Sequence, residues 1–332
     1  MCDFSKNSLF QNFNNLQDIT LDPNFATICG FTDDDIDTVF AAELEGMDRD
    51  NIREWYSGYN WLGESVYNPI DILHLFRNRN FKNYWYETGA PDFLVDLIIE
   101  RKISTPTLNR LTGDKELLSS LEIDHIMVET LMFQSGYLTI KNVNPLEGNN
   151  VYQLDYPNLE VYQSLNSSLL KHLVYDGGTQ VRQRIQLYKL LQNNDFPGLK
   201  QLFQSFYTGI PDHWYTNGDI QNYEGFYVST FYSYFASLGL DITVENCANL
   251  RRIDMTLKFN SQVYIFGFKV VELAPEGNAL QQIKDKAYTD KYRSLNQPIH
   301  LIGVEFSKES RNVEGFDVEQ TPSSYEALDL NH

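Results

Sequence analysis

Cysteine is scarce in this 332-residue chain, and the three present, Cys2, Cys29 and Cys247, are odd in number and far apart. That argues against a disulfide framework and against a CxxC-type zinc site. Histidine is also thin. His74, His125, His172, His213, His300 and His332 form no HxH or HxxxH pair, so they read as structural or surface residues. No GxSxG occurs and no cysteine has a histidine close by in sequence, which removes the common nucleophile arrangements. No run of eighteen apolar residues exists, and the start, MCDFSKNSLFQNF, lacks the basic and apolar regions of a signal peptide. The expectation is a soluble, cytoplasmic chain with no membrane partner.

Positive charge is short as well: 26 Lys and Arg face 45 Asp and Glu, a formal net charge of -19. Phosphate binding rests on Lys and Arg, so this balance opposes tight, nonspecific coating of duplex nucleic acid. The deficit is uneven, however. Residues 1–100 carry eighteen acidic against six basic residues, whereas residues 242–312 carry eight against ten. A mildly basic pocket in that second stretch is compatible with a nucleic-acid end or flap.

The same stretch holds the most informative pattern, RRIDMTLKFNSQVYIFGFKV, from Arg251 to Val270. Ile253, Met255, Leu257 and Phe259 alternate with Arg252, Asp254, Thr256 and Lys258, the period of a half-buried strand. Gln262 to Val270 is rich in β-branched and aromatic residues, as in a strand covered on both faces. Asn260-Ser261 is a two-residue turn candidate, which makes the whole a β-hairpin. Counting back from the turn sets Asp254 opposite Gly267 and turns Lys269 to the same face. Lys269 lies in an apolar strand, where a lone ammonium is costly to bury, so Asp254 is its expected partner.

An aspartate facing a position two before a lysine suits metal-dependent phosphodiester cleavage. The segment resembles the catalytic hairpin of the PD-(D/E)XK nuclease superfamily, in which an Asp is followed by a turn and then Glu-x-Lys. Here the Asp is Asp254 and the Lys is Lys269, but Gly267 stands at the Glu position. The resemblance implies Mg²⁺ or Mn²⁺ shared between Asp254, the motif Glu and the backbone carbonyl of Phe268. It also implies a helix-borne acid, matched by Glu224, although a Glu at a helix start often only complements the dipole. A Gln occurs in the family on the following helix, where this chain has Gln282. Gln282 and Lys286, four apart, face either the site or solvent. Replacing Gly267→Glu is expected to restore the second carboxylate with no Cβ penalty, since a strand favours φ below zero.

Earlier in the chain, Thr32 with Asp35 three residues on predicts a capped helix start. Together with Trp55-Tyr56-Ser57-Gly58-Tyr59, Val66-Tyr67-Asn68-Pro69 and Asn83-Tyr84-Trp85, this is similar to the C-terminal part of an AAA-ATPase-like module found in bacterial proteins that end in a PD-(D/E)XK domain. On that resemblance, the part that would hold nucleotide is expected to lie outside this chain. Gly58 to Ser65 has the spacing of a P-loop, but Glu64 replaces the Lys and Trp61 fills the loop, so a surface turn without ATP is expected. Helix, strand, turn, strand and helix between Ile123 and Tyr175 suggest a winged-helix-like unit with only Lys141 in its hairpin, read as a packing module.

The expected architecture is therefore multidomain: a mostly α N-terminal half with a winged-helix-like unit, then an α/β domain of the PD-(D/E)XK, restriction-endonuclease-like type. Its expected bounds are 1–124, 125–211, 212–320 and an acidic tail at 321–332, with a strand at Lys6–Phe10, one helix from Glu276 to Tyr292 and a frayed end after Val313. Two readings stay open. One is a nuclease acting on nucleic acid, DNA ahead of RNA, impaired by Gly267. The other is a pseudonuclease that binds nucleic acid or a protein partner without turnover.

Overall fold

In the computed structural model, residues 19–85, 92–101, 103–115, 118, 127–146, 149–173, 177–210, 224–245, 254–272, 274–286 and 289–321 are described. The expected strand Lys6–Phe10, the start of the hairpin at Arg251–Ile253 and the tail from 322 lie outside them. The described residues fall into two compact units, one drawn from Met1–Ile103 and Thr107–Leu165, the other from Ser104–Pro106 and Asn166–His332.

In the first unit, α1 (Asp33–Thr38) begins with the reciprocal cap that its sequence predicts. The Asp35 amide donates to Thr32 Oγ1 at 3.1 Å and the Thr32 amide to the Asp35 carboxylate at 2.8 Å. Helices α2 (Arg49–Tyr56) and α3 (Pro69–Asn78) start on Asp48 and Asn68, whose side chains cap their first amides. Ile36, Ile52, Tyr56, Tyr67, Ile72 and Leu75 close a core between these helices, each fully buried. After α4 (Asp92–Glu100), the strand β1 (Thr112–Gly113), helix α5 (Val128–Gln134) and the hairpin of β2 (Thr139–Leu146) and β3 (Asn149–Asp155) follow, with sheet order β1-β3-β2. Helix α6 (Leu159–Leu173) comes next.

The second unit contains α7 (Gly177–Gln192), α8 (Phe196–Thr208) and α9 (Glu224–Ala236), then a five-stranded sheet in chain order. Its strands are β4 (Asp241–Glu245), β5 (Asp254–Phe259), β6 (Gln262–Val271), β7 (Ile299–Ser307) and β8 (Asn312–Thr321). Only β6 and β7 run parallel, so the chain must cross over between them, and α10 (Asn278–Asp285) makes that crossing. One face of β6 presents Phe266 and Phe268 to Phe231 of α9. The other presents Val263 and Ile265 to Ile283 of α10, with Ile299 and Leu301 of β7 in the same cluster.

Two expectations are corrected. The helix foreseen from Glu276 to Tyr292 is α10 and a short α11 (Thr289–Tyr292), with Glu276 and the left-handed Gly277 ahead of the first turn. The chain after Val313 is not frayed through Thr321: it forms β8, antiparallel to β7. Val313 is buried in that edge strand while Asp317 and Glu319 are exposed, charges that discourage further strand addition.

Candidate functional site

The hairpin of β5 and β6 turns on Asn260 and Ser261, with φ of 51° and 56°. Two consecutive positive φ values are those of a type I′ turn, whose twist matches the flanking strands. It sets Phe259 against Gln262 and, five pairs further along, Asp254 against Gly267. Gly267 in turn pairs with Gly303 of β7, and Lys269 with Glu305. Strand alternation therefore gathers Asp254, Gly267, Lys269, Gly303 and Glu305 on one face, beneath α10.

Asp254 is 1% exposed, and both of its carboxylate oxygens are engaged from α10 and its C-cap. Gln282 Nε2 donates to Oδ1 at 3.2 Å, and the Lys286 ammonium bonds Oδ2. The pairing anticipated between Asp254 and Lys269 is thus corrected. Lys269 reaches outward to Glu276 at 3.2 Å instead, and with the Asn278 amide it holds the Glu276 carboxyl below the usual range. The reason is geometric. Four-residue spacing puts Gln282 and Lys286 on one side of α10, and that side lies over Asp254.

Glu305 belongs to the site and the sequence reading passed over it. It is 1% exposed in a strand buried along its length, and its carboxylate accepts the backbone N–H groups of Glu276 at 2.6 Å, Gly277 at 3.2 Å and Ala279 at 3.0 Å. Helix α10 has no side-chain cap of its own, since its N-cap is Gly277, so a strand-borne carboxylate satisfies its first amides. The available signal was one acid inside the apolar run of β7.

Gly267 also has a different meaning from the one read in the sequence. A Cβ there would lie 2.6 Å from Ile283 Cγ1, 2.9 Å from Ile283 Cδ1 and 3.0 Å from the Ala279 carbonyl oxygen. At Gly303 it would lie 2.4 Å from the Leu280 amide nitrogen. The paired glycines form a trough that admits the α10 backbone. The expectation that Gly267→Glu carries no Cβ penalty is therefore wrong: φ is permissive, but the space is filled.

The residues present do not fit a divalent cation as the resemblance implies. Asp254 is already paired with Lys286 and Gln282, and position 267 has no side chain. The side chain of Glu224, at the first residue of α9, lies outside what is described. On standard sheet spacings the Cα atoms of Asp254 and Glu305 are roughly 12 Å apart, two strands across and one row along. The Glu305 carboxylate is moreover bound to amides. Among the described residues, no group of three or more His, Cys, Asp or Glu side chains converges as a metal site.

In the first unit, Gly58 to Ser65 forms a turn closed by a bridge between Tyr59 and Val66. Amides that a P-loop would aim at phosphate are used internally. Asn60 N donates to Thr139 Oγ1 at 2.7 Å and Leu62 N to Asn60 Oδ1 at 2.9 Å. The next helix starts only at Pro69.

Compared with known proteins, the chain is 55% identical over 316 residues to the uncharacterized protein in vnfD 5'region of Azotobacter chroococcum mcd 1. That alignment takes in 95% of this chain and 61% of the relative, so the chain spans less than two thirds of that protein's length. No solved structure matches. Among the described residues no helix is long and apolar enough to cross a membrane. Residues 222–316, which carry Asp254, Gly267, Lys269, Gln282, Lys286 and Glu305, match the family model of the PD-(D/E)XK nuclease superfamily, and the C-terminal unit thus contains a domain of that superfamily.

Proposed function

We propose that the C-terminal domain is a nuclease-fold module that binds nucleic acid, DNA ahead of RNA, and whose phosphodiester hydrolysis is impaired. The observation that carries this reading is the trough at Gly267 and Gly303. With α10 seated in it, the place of the second metal-binding carboxylate is taken by the side chain of Ile283. Cleavage by this fold needs Mg²⁺ or Mn²⁺ to polarise the phosphate and activate water, and one buried, ion-paired carboxylate is a poor hold for a hard cation. Binding is supported by the superfamily match and by the basic balance of residues 242–312 in an otherwise acidic chain. The order of aromatic and Asn-Pro motifs supports reading the first unit as the C-terminal part of an AAA-ATPase-like module, with the β2–β3 hairpin in a winged-helix-like packing unit.

The test pairs two measurements on the full chain. Fluorescence anisotropy with single-stranded, duplex and flapped DNA, in EDTA, should show binding that weakens as salt rises. Incubation of the same substrates with Mg²⁺ or Mn²⁺ should leave them intact. Metal-dependent cutting that Asp254→Asn abolishes would overturn the impairment, and absence of binding to every DNA and RNA tested would overturn the nucleic-acid role.

A further inference from the structure

We infer that Lys286 is the resident cation of Asp254: its ammonium occupies the carboxylate that a divalent ion would need, so the domain engages its ligand without a metal. This rests on the reading of an incomplete nuclease centre and adds what fills it. Asp254 is 1% exposed, so its charge is largely desolvated and demands a counter-ion. Lys286 supplies one from the C-cap of α10, its side chain 24% exposed, while Gln282 covers the other oxygen at 3.2 Å. The ammonium is tethered to the fold, so any free ion competes against a high effective concentration.

The test uses the full chain and Mn²⁺ alone. Lys286→Met keeps the aliphatic stem and removes the charge, and Lys284→Met, whose lysine is exposed and paired with Glu319, is the control. In calorimetry, wild type and Lys284→Met should show no saturable Mn²⁺ binding. Lys286→Met should show one site, at least tenfold tighter than any wild-type binding, which Asp254→Asn in the same chain removes. If Lys286→Met is too unstable for titration, its melting temperature serves: Mn²⁺ at roughly ten times Kd should raise it by about 3 °C and leave wild type unmoved. Mn²⁺ binding by wild type that Asp254→Asn abolishes would overturn the inference, as would a Lys286→Met chain that neither binds Mn²⁺ nor is stabilised by it. DNA binding in EDTA, followed on the same variants, reports separately on the nucleic-acid role, and its loss in wild type would sink that role without touching the Mn²⁺ result.

Discussion

Placing a methyl group in the trough tests the packing on which the functional reading depends. In Gly303→Ala the new Cβ would lie 2.4 Å from the Leu280 amide nitrogen and 2.8 Å from its Cα and Cβ. Two of these are backbone atoms, so no side-chain rotation relieves them, and α10 must lift by about 1 Å to reach ordinary contact. Overpacking of this kind costs roughly 1–3 kcal/mol, and the backbone clash puts Gly303→Ala at the top of that range. Gly267→Ala meets Ile283 Cγ1 at 2.6 Å, a side-chain atom, and belongs lower in the range. Gly277→Ala meets nothing within 4 Å but has φ +69°, so its cost is backbone strain alone, about 1–2 kcal/mol. Size of effect does not separate the last two; coupling does. Ile283→Ala alone leaves a cavity and costs about 2–5 kcal/mol. Combined with Gly267→Ala it should show a favourable interaction of roughly 1–2 kcal/mol, and combined with Gly277→Ala none. Tryptophan fluorescence reports poorly here, because three of the four tryptophans, Trp55, Trp61 and Trp85, belong to the first unit. Urea titrations followed by hydrogen exchange over 278–285 address the right unit. A Gly303→Ala chain within about 0.5 kcal/mol of wild type would refute the trough and, with it, the exclusion of a second carboxylate.

Two further outcomes follow from buried acids. Glu305→Ala strips three amides at the N-terminal end of α10, those of Glu276, Gly277 and Ala279, of a charged acceptor and should cost about 3 kcal/mol, with protection from hydrogen exchange lost first across 278–285; unchanged protection there would show that another group docks the helix. Burial pushes the Asp71 carboxyl up to about 6 from 3.8, with the Glu160 carboxyl and the Trp85 amide opposing the shift. The folded unit then holds its proton more tightly than the unfolded chain. The associated stability is present below pH 3.8 and is lost as pH rises to about 6, so a urea midpoint followed by tryptophan fluorescence should fall over that window. Asp71→Asn should flatten the slope, and an equal slope in the variant would assign the titration elsewhere.

The hairpin was legible because its information is local. Alternation in β5, the apolar run in β6 and a two-residue turn fix the register, and Asp254 opposite Gly267 follows by counting. The partner of Asp254 was not legible in the same way. Lys269 is fifteen residues away along the hairpin and on the same face, yet Lys286, carried on the next helix, holds the carboxylate. Which side of an amphipathic helix faces a sheet depends on how the helix docks, and here docking is set by Gly267 of β6 together with Gly303 and Glu305 of β7. Gly267 read as a missing ligand because its φ and its motif position are visible in sequence, whereas the Ile283 side chain above it is not. Strand β8 was missed because its acidic residues resemble a solvated tail. Their exposure on an edge strand is what that composition also allows.

The trough also sets an order on how this sequence can change. A side chain at 267 collides with Ile283 and Ala279, and one at 303 collides with the Leu280 backbone. A carboxylate therefore cannot return to 267 as a first step. Ile283 must shrink beforehand, and that intermediate has a cavity in the cluster of Val263, Ile265, Tyr292 and Leu301 with no new ligand to offset it. Gly303 has no such detour, since its neighbour is main chain. One of the paired glycines can be exchanged by an ordered two-step route across a stability valley, and the other is fixed for as long as α10 lies where it does.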